Sequence, residues 1–173
     1  MPVFVNIHPA ELSERWLIRP DDPIFGYEQD VYLEITESVP FSHYDLCASV
    51  LREVRRRGQV HLVIDDLGSG YSNLKRISDL YPEFVKLDME LVVGLDKNRR
   101  QQELVSSIVN LCLNLGAEVI AEGIETVEQL KAVMNADVHY GQGYLFGLPG
   151  YPIPEVIWPT SESKKPPRRR STS

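Results

Sequence analysis

Short runs rich in β-branched and apolar residues recur along this chain at 3–7, 31–35, 61–64, 84–87 and 118–121, with a weaker run at 138–144. Helix-length segments separate them. Strand alternating with helix leads to a parallel sheet with helical crossovers, either a doubly wound open sheet or a barrel. The doubly wound reading lacks its dinucleotide fingerprint, because Gly68-Ser69-Gly70 is followed by Tyr71, Ser72 and Asn73 and not by a third glycine at the required spacing. The expectation is therefore an α/β fold of the TIM type. A full barrel of this kind uses eight strands and about 250 residues, whereas this chain of 173 residues offers six candidates. An incomplete barrel, about six of eight strands, follows.

Apolar faces support the helices. Tyr44, Cys47, Leu51 and Val54 share one face, and Leu104, Ile108, Leu111, Cys112 and Leu115 share another that stops at Gly116. A third helix opens at Thr126, where Thr-Val-Glu-Gln has the form of a capping box, and Leu130 with Met134 continues its apolar side. Cys47 and Cys112 fall within these patterns and not in a metal-type spacing, so they read as buried free thiols. No apolar stretch approaches the roughly 20 residues that cross a bilayer, and no signal peptide is legible at the start, so no membrane span and a cytoplasmic location are expected.

The net charge of −7 conceals five positive charges among the last ten residues, at Lys164, Lys165, Arg168, Arg169 and Arg170. The body is strongly acidic, which disfavours a nucleic-acid polymer as partner and favours collection of divalent cations. Residues 159–173, rich in Pro, Ser and Arg without an apolar anchor, read as a disordered tail to a barrel domain at 1–158.

Chemistry-bearing residues follow the apolar runs one after another: Asn6, Glu34, Asp65 with Asp66, Lys86 with Asp88, and Glu122. Taken singly, an Asp after a strand is most often a turn former or helix cap. Taken together they converge, because the C-terminal ends of barrel strands meet at one face. Several hard oxygen donors suit Mg2+ or Mn2+, and no His/Cys cluster competes for zinc. Adjacent carboxylates at 65 and 66 repel, and two cations about 4 Å apart would offset that repulsion while stabilising both oxygens of a phosphodiester displacement. Lys86 and Asp88, two apart on a strand, are expected to share a face and form a charge pair. The Gly- and Ser-rich stretch 67–73 reads as a loop able to approach a ligand closely.

LEITES at 33–38, VIDDLGSGYSNL at 63–74, FVKLD at 84–88, VIAEGIET at 119–126 and YGQGYLFGLP at 140–149 resemble, in order, the signature motifs of the EAL cyclic di-GMP phosphodiesterases. The resemblance implies hydrolysis of cyclic di-GMP to linear pGpG with a binuclear Mg2+ or Mn2+ site. By the same resemblance Asn6, Glu34, Asp65 and Asp66 are metal ligands, Lys86 holds the nucleophilic water and Glu122 is the general base and a metal-side carboxylate. Asp88 matches a supporting partner, Glu125 and Gln142 match residues near the substrate, and Glu37 matches the anchor of the metal loop. Leu67 stands where the family carries an aromatic residue. The family's first two strands and its Glu-Ala-Leu motif have no counterpart in the sequence, so the chain is expected to need a complementing N-terminal segment or to self-associate as an oligomer. Two other readings compete: a catalytically inactive EAL-like module that binds cyclic di-GMP or a protein partner, and an enolase-like proton abstraction with Lys86 as base. The adjacent carboxylates at 65 and 66 fit the last less well.

Overall fold

The computed structural model describes residues 1–13, 19, 21–36, 44–68, 74–156 and 158–159. Glu37, the loop positions 69–73 and the tail from 160 onward lie outside the described residues. Among the described residues six strands form one parallel sheet in sequence order: β1 (Val3–Asn6), β2 (Val31–Thr36), β3 (Val60–Leu67), β4 (Phe84–Leu87), β5 (Glu118–Ala121) and β6 (Tyr140–Gly141). Each neighbouring pair is parallel. Strand order never reverses, so the sheet has no switch point of the doubly wound kind and curls instead as a half-barrel. Its two edges are β1 and β6.

Helices α1 (Pro9–Ser13), α2 (Tyr44–Arg57), α3 (Leu74–Leu80), α4 (Met89–Val92), α5 (Arg99–Asn114) and α6 (Val127–Asn135) follow the strands. Alternation along each strand divides the side chains between two faces. Val31, Leu33 and Ile35 of β2, Leu62 and Ile64 of β3, Val85 and Leu87 of β4, and Val119 and Ala121 of β5 are all buried in the core shared with the helices. The other face points into the half-barrel. Its middle layer is aromatic: Phe4 stacks on Tyr32 at 4.6 Å, and Phe84 meets Tyr32 and Tyr140 edge-on at 5.7 and 5.3 Å. Phe4 and Tyr140, on the two edge strands, remain 47% and 46% exposed, because no further strand among the described residues covers them.

Local signals place the helix ends. Thr126 accepts from the Gln129 N–H while the Gln129 side chain accepts from the Thr126 N–H, which completes the capping box. Gly116 ends α5 in the left-handed region at φ +85°. Cys47 and Cys112 are buried and not joined in a disulfide. No helix among the described residues is long and apolar enough to cross a membrane.

Two helix faces differ from the sequence expectation. In α5 the buried stripe is Val105, Val109 and Cys112, whereas Leu104, Leu111 and Leu115 are 51%, 37% and 36% exposed. Cys112 and the half-buried Ile108 of the expected face do meet the core, and the packed stripe is rotated by one residue, about 100°, from Leu104 and Leu111. In α6 Val133 packs inward beside Leu130, and Met134 is 54% exposed. The weak last strand narrows to Tyr140–Gly141, while β3 extends to Leu67 and carries Asp65 and Asp66 within it.

Truncation at Val109 should therefore cost about 2 kcal/mol, the loss of two buried methyl equivalents plus a cavity. Leu104→Ala should stay within about 0.5 kcal/mol. Urea melts of both variants check the assignment; a larger effect at Leu104 would restore the leucine stripe as the packed face.

Candidate active site

The polar layer lies above the aromatic one, at the C-terminal ends of the strands. In register, Asn6 of β1 pairs with Glu34 of β2, and Thr36 of β2 with Asp65 of β3. Lys86 follows Phe84 on the same face of β4, and Glu122 immediately follows β5. Lys86 is the hub. Its Nζ lies 2.9 Å from Glu34 Oε1, 3.0 Å from Asp65 Oδ1 and 2.6 Å from Glu122 Oε1. Glu34, Asp65 and Lys86 are buried, 6–8% exposed. One ammonium thus faces three carboxylates in a largely buried site.

Burial alone would push the Lys86 ammonium down. The hydrogen bonds to Glu122, Glu34 and Asp65 outweigh it and hold the group above its ordinary value, so it stays charged. Glu122 is pushed up mainly by burial, against the hydrogen bond and charge of Lys86, and Asp65 and Asp66 push it further up. Burial also raises Asp66, followed by the charges of Asp65 and Asp88, with Lys86 opposing. Negative charge is in excess here.

The strand itself is distorted where the two aspartates meet. The pairing of β3 with β4 shifts register between Ile64 and Leu67, and Asp66 sits at φ +59°, a conformation uncommon outside glycine. Its N–H donates to Asp65 Oδ1 at 3.0 Å. The bulge lets consecutive residues, which normally alternate, both reach the interior. As a result Asp65, Asp66 and Glu122 each offer an oxygen within 4.8 Å of the others. An all-oxygen, net negative donor set of this kind fits a hard divalent ion such as Mg2+ or Mn2+.

Other expected residues are placed differently. Asp88 does not pair with Lys86: β4 ends at Leu87, and Asp88 turns away to cap α4, its side chain accepting from the Glu90 N–H at 2.6 Å. The alternation rule stopped with the strand, and the capping interaction took the carboxylate. Asn6 lies exposed on the edge strand next to Glu34. Glu125 and Gln142 are exposed on the loops after β5 and β6, where they border a groove of about 1230 Å3 with Met89, Tyr144, Leu148 and Trp158. Lys86 and Asp65 do not line this groove; the charge cluster marks the chemistry and the groove adjoins it. The sequence pattern did not foresee the bond from Gln142 Nε2 to Glu122 Oε1, 2.5 Å long. Gly68 is required after Leu67, because at φ +107° a side chain there would meet Leu91 at 2.5 Å.

Residues 1–149 match the family model for the EAL domain. The chain belongs to the EAL domain family. Among relatives of the EAL domain, the cyclic di-GMP phosphodiesterase PA2567 of Pseudomonas aeruginosa is 36% identical over 73% of this chain and 21% of its own length. The probable cyclic di-GMP phosphodiesterase PdeD of Escherichia coli is 32% identical over 98% of this chain and 32% of its own length. BlrP1 of Klebsiella pneumoniae, solved as a calcium and cyclic di-GMP complex, superposes with a TM-score of 0.78 at 31% identity, covering 91% of this chain and 41% of that one. A further structure of BlrP1 is a manganese and cyclic di-GMP complex. An EAL domain protein of Listeria monocytogenes gives a TM-score of 0.75 at 28% identity, over 86% of this chain and 60% of that one. This EAL domain thus spans well under half the length of these curated relatives.

Replacing Lys86 with Met should destabilise the fold by about 3 kcal/mol at neutral pH, since three carboxylates lose their counter-charge. Carboxylates whose folded values lie above their unfolded ones weaken the fold while ionised, and that cost disappears as pH falls through the folded value. The deficit of Lys86→Met relative to the parent chain should therefore shrink between about pH 7 and about pH 5. Thermal melts at both values test this; a deficit that grows on acidification would contradict the assignment.

Proposed function

We propose that this EAL domain serves metal-dependent hydrolysis of cyclic di-GMP to linear pGpG. The observation that carries the reading is the convergence of Asp65, Asp66 and Glu122 into one oxygen donor set beside the Lys86 ammonium. Family membership and the cyclic di-GMP phosphodiesterases among the relatives support it. Asp65, Asp66, Glu34 and Asn6 would hold a pair of Mg2+ or Mn2+ ions, with Glu122 as a carboxylate on the metal side. Bound there, the ions would lower the pKa of water and neutralise the charge of the phosphodiester.

The protein's own groups supply the rest. Glu122, with its carboxyl raised, is suited to accept the proton of the attacking water. Lys86 orients that water and balances charge at the phosphoryl oxygens while fixing one oxygen of each carboxylate it touches. The water oxygen bonds to phosphorus as the bond to the ribose 3′ oxygen breaks, which leaves a 5′ phosphate on the linear product. By the family resemblance Glu125 and Gln142, which border the groove, would meet the substrate, Glu37 would anchor the metal loop, and Asp88 would be a supporting partner.

Closure of the barrel is part of the same proposal. β1 and β6 are open edges, and the exposed aromatics Phe4 and Tyr140 lie on the inner face, so two further strands from a complementing segment or a second copy would cover them. Product analysis with cyclic di-GMP and Mn2+ or Mg2+ tests the activity, with and without a segment that supplies two strands and a glutamate. The expected result is conversion to pGpG that depends on the metal and rises when the segment is added. Substrate binding without product under both conditions would favour the inactive binding module. In the active form Glu122→Gln should lower kcat by 10²-fold or more, about the worth of a general base, with substrate affinity kept within about threefold. Asp65→Asn should instead weaken the metal dependence, read as a rise in the Mn2+ concentration needed for half activity.

A further inference from the structure

Two donors address the same oxygen of Glu122. Lys86 Nζ lies 2.6 Å from Oε1 and Gln142 Nε2 lies 2.5 Å from that same atom. The backbone around Gln142 is fixed as tightly as its side chain. Its N–H donates to the Ala121 carbonyl at 2.9 Å and its carbonyl accepts from Ile124 N–H at 3.1 Å, so it is stitched to both sides of Glu122. Leu145 N–H continues the stitch to the Ile124 carbonyl at 3.0 Å.

This approach is possible because position 143 is glycine. At φ +157° a Cβ on residue 143 would fall 2.2 Å from the Ile124 carbonyl oxygen and 2.3 Å from its nitrogen, both backbone atoms that cannot swing aside. Any side chain there would push the loop carrying Gln142 away from the loop carrying Glu122.

We propose that Gln142 and Gly143 are positioning residues that select which oxygen of Glu122 is available to a cation: Gln142 joins Lys86 in occupying Oε1, Gly143 permits the approach, and Oε2 is left to complete the donor set with Asp65 and Asp66. This rests on the reading of that set as a divalent-metal site. It gives Gln142 a role through Glu122, distinct from contact with substrate.

Titration of the 173-residue chain with Mn2+, followed by the loss of the free-ion electron paramagnetic resonance signal, tests the proposal without requiring turnover. Outer partners of metal ligands are worth about 10- to 100-fold in metal affinity. Gln142→Ala should weaken Mn2+ binding about tenfold, with a melting temperature within about 2 °C of the parent, because the side chain is exposed. Gly143→Ala should weaken it similarly although Gln142 is retained; if that variant no longer melts cooperatively, the Gln142 variants decide. Gln142→Glu is the most discriminating arm. A site that only sums charge would bind Mn2+ more tightly with an added carboxylate, whereas a site that needs the amide donor binds it more weakly. Tighter binding by Gln142→Glu, or unchanged affinity in Gln142→Ala, overturns the inference while leaving the metal site intact. A parent chain that binds no Mn2+ overturns both.

Discussion

Everything at the mouth of this half-barrel depends on one ammonium group. Lys86 projects inward from the centre of the sheet and reaches carboxylates from β2, β3 and the end of β5 at 2.6–3.0 Å. Without it, buried acids on separate strands would repel one another and draw in protons or water. With it, each acid is held through one oxygen. Three negative charges against one positive still leave an excess; burial chiefly, and then the charges of neighbouring aspartates, push Glu122 and Asp66 up. An arrangement that gathers uncompensated negative charge at the end of a barrel suits divalent cations.

The scaffold positions this cluster through ordinary packing. Valine, leucine and isoleucine on the outer faces of β2 to β5 fix the register against the helices, and register decides which residues face inward. A slip of one residue would turn Glu34 and Lys86 into the helical layer. One local irregularity was needed as well: the bulge at Asp65 and Asp66, where a strained residue brings two consecutive carboxylates to the same side.

Much of this was legible in the sequence because barrel chemistry sits where apolar runs end. Glu34, Asp65, Lys86 and Glu122 were readable for that reason, and the six runs gave the strands and the incomplete barrel. Readings failed where two rules competed over the same residue. Asp88 obeyed helix capping over strand alternation, and Leu104, Leu111 and Leu115 made as regular a stripe as the valines that α5 buries. Local sequence carries no term for which of two stripes meets the sheet. The Gln142 to Glu122 bond was hidden for a different reason: its partners are 20 residues apart on adjacent loops, and only the tertiary approach at Gly143 brings them together.

Anomalous diffraction from crystals of the chain grown with Mn2+ tests the central claim most directly. The account predicts a manganese peak bounded by Asp65, Asp66 and Glu122, with Lys86 still bridging Glu34, Asp65 and Glu122, and a second peak about 4 Å away when the set is complete. Well-ordered crystals at saturating Mn2+ with no anomalous density at these carboxylates, or with Lys86 displaced from them, would contradict it.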